Sequence, residues 1–178
     1  QRRITAAILD VCGSPAHELA TAIDGCGVPV HALPLYRFAQ GYARMSLPDH
    51  FSPQRSLAIR RITSAMTSHP YLVAGAERIC TFLMEHFGDR LFCKSGASAF
   101  YAIGLKERGI GIAVKLEDGA SSLIPYVLLQ VLRELDVISA DELAGLNEYQ
   151  DQMIYNNHHT PVGRTELVFH LRPGRGTE

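Results

Sequence analysis

No apolar run among the 178 residues approaches the roughly 20 that a helix needs to cross a bilayer, and no secretory signal is recognisable. A membrane role is therefore not expected, and a cytoplasmic location is. Nor does one sign of charge dominate. Seventeen Lys and Arg stand against 18 Asp and Glu, interspersed, for a formal net charge of −1. A nucleic-acid partner, which would call for a basic stripe, is not expected either. The four cysteines, Cys12, Cys26, Cys80 and Cys93, form no CxxC pair and no zinc-finger spacing, so they read as reduced thiols in a cytosolic protein. None of the eight histidines has metal-ligand spacing, and there is no Ser-x-x-Lys motif. An initiator methionine is missing as well. Gln1-Arg2-Arg3 runs straight into an amphipathic pattern (Ile4, Ala7, Ile8, Val11), as if the chain had been cut beside a helix.

What is present is an ordinary globular composition, 47% apolar and 20% charged, enough for one domain with a sizeable core. Periodicity predicts helices over 3–12, 34–45, 53–69, 76–87, 119–136 and 140–147, with Ser52 and Ser139 as N-caps. The inward face expected of the 53–69 helix is Ala58, Ile62, Ala65 and Met66. Strands are expected over 19–26, 90–94, 98–105, 110–116, 152–156 and 162–170, with Pro29 and Pro34 punctuating the connection after the first. The most continuous helical stripe is Ile124, Val127, Leu128, Val131, Leu132 and Leu135, which predicts packing on a sheet. Consecutive strands joined by tight turns are antiparallel. The expected class is thus α+β, an antiparallel sheet covered by helices. One domain is expected over 1–172, with 173–178 a disordered tail.

One stretch is chemically odd. "FCKSGASAFYAIG" places Lys94 between two apolar strands and beside Ser95-Gly96. A lysine in a partly buried site has its pKa lowered and can then take or return a proton. From the residues alone, a strand-edge lysine snorkelling into solvent is the more ordinary reading. Asp24-Gly25-Cys26 reads as a turn with a carboxylate and a thiol, and Asp24 there can simply cap its own backbone.

Three ordered stretches, "AIDGCGVPVHALPLYRFAQGYAR", "MTSHPYLVAG" and "CKSGASAFYAIGLKERGIGIAVKLEDGASS", resemble the C-terminal half of the asparaginase II family, the thermolabile, rhizobial-type bacterial L-asparaginases. The resemblance covers roughly residues 2–170. It implies a fold similar to serine β-lactamases and glutaminases, incomplete in this chain, and an amidohydrolase that converts L-asparagine to L-aspartate and ammonia. It implies Lys94 and Asp24 as catalytic residues and Ser95 and Gly96 as substrate-binding residues. Cys26 would be one ligand of a zinc ion, whose other ligands and the serine nucleophile lie in the preceding half. The 178 residues alone are then expected to be inactive, and to self-associate or pair with that half. Where the family reads Lys-x-Gly-Ala-Glu-Gly, this chain has Lys94-Ser95-Gly96-Ala97-Ser98-Ala99. Two other classes remain open: a related serine acyl-transfer enzyme acting on glutamine or a β-lactam, and a non-catalytic binding or assembly module.

Overall fold

In the computed structural model, which describes residues 1–144, 146 and 152–174, the chain is an α+β protein. It divides into two units, Gln1–Gly119 and Ala120–Glu178. The first begins with helix α1 (Arg2–Cys12), stopped by Gly13 in the left-handed region at φ 58°, where the turn folds back on the last carbonyls. A hairpin of β1 (Ala20–Ile23) and β2 (Pro29–Ala32) follows, paired antiparallel from Ala20↔Ala32 to Ile23↔Pro29. The segment between Pro29 and Pro34 is therefore a strand rather than a bare connection. Proline hid it from the pattern, yet proline is tolerated as the first residue of a strand.

Helices α2 (Leu35–Ser46), α3 (Pro53–Ser68), α4 (Pro70–Ala74) and α5 (Ile79–Phe87) come next. Ser52 caps α3 as expected, accepting from the Arg55 N–H at 3.4 Å. The face of α3 differs from the expectation. Ile59 and Thr63 are buried, Ala58 and Ala65 are exposed, and Ile62 is 52% exposed. Apolar residues run around this helix at 57, 58, 59, 62, 65 and 66, so periodicity selects no single face. The short helix α4 was not expected, and the helix expected over 76–87 begins only at Ile79.

The sheet of this unit has the order β3–β4–β5, all antiparallel: β3 (Leu91–Gly96), β4 (Phe100–Leu105) and β5 (Ile110–Lys115). One face carries Leu91, Cys93, Tyr101, Ile103 and Leu105, each buried. The opposite face receives α2 at unusually short range. Gly104 pairs with Gly111 across the sheet, and a Cβ built on Gly111 would lie 1.8 Å from the Ala39 carbonyl oxygen. A Cβ on Gly104 would lie 2.9 Å from the Tyr42 carbonyl oxygen and closer still to the Phe92 ring. The helix backbone thus rests on the sheet where side chains are absent. Tyr42 stacks on Phe92 at 5.6 Å and Phe38 meets Phe100 edge-on at 5.0 Å, flanking that seat. On its other side α2 meets α1 through Gly41, 2.9 Å from the Cys12 sulfur if a Cβ is added.

A bidentate pair ties the N-terminal end of α2 to the segment before β1. Arg37 donates to both Glu18 oxygens, at 2.7 and 2.9 Å, and to the Gly13 carbonyl at 2.9 Å. Hydrogen bonding from Arg37 holds the Glu18 carboxyl down to about 2, below its ordinary 4.5.

In the second unit, a single turn of 3₁₀ helix (Ser121–Leu123) leads into α6 (Ile124–Glu134), which is shorter than the expected 119–136. Ile124, Leu128, Val131 and Leu132 of the stripe are buried, with Leu129 beside them. Helix α7 (Ala140–Ala144) starts with a reciprocal cap: Glu142 N–H to Ser139 Oγ at 3.2 Å, and Ser139 N–H to Glu142 Oε2 at 2.9 Å. Residues 145 and 147 of the expected helix lie outside the described residues, as do 175–178 of the tail. Strands β6 (Gln152–Tyr155) and β7 (Pro161–Thr165) form an antiparallel hairpin.

Two outcomes follow from these contacts. Gly111→Ala should destabilise the protein by on the order of 3 kcal/mol, read from urea unfolding, because backbone cannot retreat as a side chain can. For Glu18, a carboxyl depressed in the folded state stabilises above its unfolded value and ceases to do so as pH falls through its folded value. The stability gap between the parent and Glu18→Gln should therefore be full above pH 4.5 and close as pH falls toward 2. A gap independent of pH would deny the linkage.

Candidate functional site

Lys94, Ser95 and Gly96 form the last half of β3, paired with Ala102, Tyr101 and Phe100 of β4. Alternation along the strand sends Lys94 to the α2 side and Ser95 to the opposite side. Lys94 is exposed, and its ammonium donates to the Ser95 carbonyl at 2.9 Å. No carboxylate forms an ion pair with it among the described residues. Gly96 is exposed, but the space its Cβ would take holds the Phe100 ring, 2.9 Å away. Gly96 thus lets that ring fold over the strand end.

The turn after β3 is strained. Ser98 (φ 52°) and Ala99 (φ 57°) both lie in the left-handed region, closed by the Phe100 N–H to the Ala97 carbonyl at 3.3 Å. This is the pattern of a type I′ turn, which prefers Asn or Gly. Ala99 occupies the position where the resembled pattern has glycine, and it is buried. Lys115 steadies the turn from β5, donating to the carbonyls of Ser98 at 2.7 Å and Leu116 at 2.6 Å.

Beneath Ser95 lies a cluster that the sequence reading did not find. Cys80, near the start of α5, and Cys93 of β3 are fully buried, and Tyr101 is nearly so. The Ser95 N–H donates to Cys80 Sγ at 3.2 Å, the Tyr101 hydroxyl to Cys93 Sγ at 3.1 Å, and the Cys93 thiol reaches the Cys80 carbonyl at 3.7 Å. Cys80 is the acceptor of the group. Hydrogen bonding within the cluster, with Cys93 first and then Ser95, holds its thiol below its ordinary value against the cost of burial. Cys93 is driven up by the same hydrogen bond to Cys80 and by burial. Burial likewise pushes Tyr101 up. The 13-residue gap between the cysteines fits no local motif. The usable signal was Tyr101, since a buried tyrosine hydroxyl within an apolar strand requires a partner.

Asp24 and Cys26 sit in the turn of the β1–β2 hairpin, and both are exposed. Asp24 accepts from the Gly25 N–H at 2.8 Å through Oδ1 and from the Cys26 thiol at 3.7 Å through Oδ2. Its backbone closes the turn, pairing with Val28 and Gly27. Gly27, at φ 78°, completes the reversal. No hydrogen bond or ion pair joins this turn to Lys94, Ser95 or Gly96 among the described residues. The hairpin is tethered instead to α1, by Thr5 Oγ1 and His31 Nε2 at 3.0 Å. As a zinc centre the donor set is short. A zinc site needs three or four protein ligands, and no group of three His, Cys, Asp or Glu side chains assembles among the described residues.

A cavity of about 800 Å³ opens along α3, lined by Ala58, Ile62, Ala65 and His69 among others, and by none of the candidate site residues. No described helix is long and apolar enough to cross a membrane.

Replacing Ser98 by Asn, which tolerates the left-handed region better, should raise stability by a few tenths of a kcal/mol in chemical unfolding. An unchanged or lower midpoint would show that the turn is not strained as its dihedrals imply.

Compared with known proteins, residues 1–167 match the family model for L-asparaginase II. No curated protein matches the chain.

Proposed function

The chain belongs to the L-asparaginase II family, and from that premise we propose that it carries the lysine-bearing sheet of an amidohydrolase converting L-asparagine to L-aspartate and ammonia. The family match is the observation that carries this reading. Beside it stands Lys94, exposed at the end of β3, its ammonium resting on a carbonyl rather than on a carboxylate. An amine held in this way is free to exchange its resting contact for a reacting group.

In this reading a serine hydroxyl attacks the side-chain amide carbon. The neutral Lys94 amine takes the hydroxyl proton and returns it to the departing ammonia, leaving an acyl-enzyme that water hydrolyses. Ser95 is not assigned as that nucleophile. Its side chain points to the opposite face of the strand from Lys94, toward Cys80, which accepts the Ser95 backbone N–H. The attacking serine in this reading is the one that the resemblance to the family assigns to the preceding half. Asp24, an exposed carboxylate, is assigned to the α-amino group of the substrate. Its present partners are the Gly25 amide and the Cys26 thiol, both local to the turn.

The test is ammonia release from L-asparagine, with L-glutamine and a chromogenic β-lactam assayed in parallel. The full-length gene product is compared with its Lys94→Ala variant and with residues 1–178 alone. The expected result is asparagine turnover by the full-length protein, a loss of about 100-fold or more in Lys94→Ala, and none from residues 1–178. Equal turnover by the Lys94→Ala variant would remove Lys94 from the chemistry. Preference for glutamine or the β-lactam would change the substrate.

A further inference from the structure

Strand β3 lies at the edge of its sheet, with β4 on one side only. The N–H groups that point away from β4 need another acceptor. At Ser95 that acceptor is a sulfur. The peptide joining Lys94 to Ser95 donates its N–H to Cys80 Sγ at 3.2 Å. Cys80 has no solvent exposure, and it is held in turn by Cys93, whose thiol reaches the Cys80 carbonyl at 3.7 Å while accepting from Tyr101 at 3.1 Å. The carbonyl of the same Ser95 accepts the Lys94 ammonium at 2.9 Å. One residue thus has its amide fixed from the core and its carbonyl offered to the candidate catalytic amine.

We propose that Cys80 is a positioning residue for Lys94: its sulfur fixes the Lys94–Ser95 peptide, which sets the backbone of Lys94 and the carbonyl on which its amine rests. The inference rests on the amidohydrolase reading for its effect on turnover, but not for its effect on the Ser95 amide. Strand β4 holds the other side of this segment through the Lys94↔Ala102 and Gly96↔Phe100 pairs. On the side facing away from β4 no described strand of the sheet pairs with it, so the bond to Cys80 fixes the peptide there. The acceptor role also separates Cys80 from a thiol that merely fills space. Valine fills a similar volume and accepts nothing. Serine is smaller but keeps a hydrogen-bond acceptor at the same branch.

The experiment uses the full-length gene product with Cys80→Val, Cys80→Ser and Lys94→Ala. Each variant is checked for cooperative unfolding and then read by ammonia release from L-asparagine and by hydrogen exchange at the Ser95 amide. In Cys80→Val, Ser95 exchange should rise and kcat should fall, each by about tenfold, with KM within about twofold of the parent; Cys80→Ser should recover most of both losses. Parent-like exchange and kcat in Cys80→Val would overturn the proposal. So would a Cys80→Ser variant as impaired as Cys80→Val, which would make the site one of packing alone. If Lys94→Ala leaves turnover intact, the amidohydrolase role of Lys94 has failed. Ser95 exchange then decides the positioning role: faster in Cys80→Val and restored in Cys80→Ser upholds it, and any other pattern removes it.

Discussion

The first unit depends on a close approach between backbone and backbone. Helix α2 lies on the sheet where Gly104 and Gly111 face one another across β4 and β5, and at Gly111 even one methyl group would overlap the Ala39 carbonyl. With no side chains between them, helix and sheet have little freedom to slide or rock. The neighbouring rings, Tyr42 on Phe92 and Phe38 on Phe100, then fall into register on either side. The same helix is fitted to α1 at Gly41 and tied by Arg37 to Glu18 and Gly13. Helix, hairpin and sheet are thereby assembled around α2, and the strand that carries Lys94 inherits that order.

The candidate site has two parts of different character. On β3, Lys94 and Ser95 address opposite faces of one sheet, the first toward solvent and the second toward a buried thiol cluster. In the hairpin turn, Asp24 and Cys26 are exposed and bonded mainly to one another and to their own backbone. A carboxylate that closes a turn and also binds a substrate amine is not a contradiction, since each carboxylate oxygen has two lone pairs to offer. The shared feature is an open polar group on a backbone fixed by short-range bonds.

The legibility of the chain varied with how local the governing physics was. The three central strands, their order and the cap at Ser52 could be read because alternation and capping act over a few residues. Strand β2 was lost to Pro29, whose general aversion to strands concealed its tolerance for the first position. The α3 face was misjudged because apolar residues surround that helix, leaving Ile62 outside and Thr63 inside. Glycine weakens a helix taken by itself, yet at Gly41 the tertiary contact with Cys12 needs a residue without a side chain. Lys94 stood out through its setting between apolar strands. The Cys80–Cys93–Tyr101 cluster did not, because its members come together only once α5 lies beside β3.

The sulfur beneath Ser95 has a bearing on how the molecule avoids its own kind. An unpaired strand edge is a template on which another chain can add a strand, and each free amide along it is a point of attachment. Proteins commonly blunt such edges with a charge, a proline or a bulge. Here Lys94 supplies the charge, and Cys80 withdraws the next amide into the interior. The end of β3 is thus left with one fewer place for a foreign strand to begin.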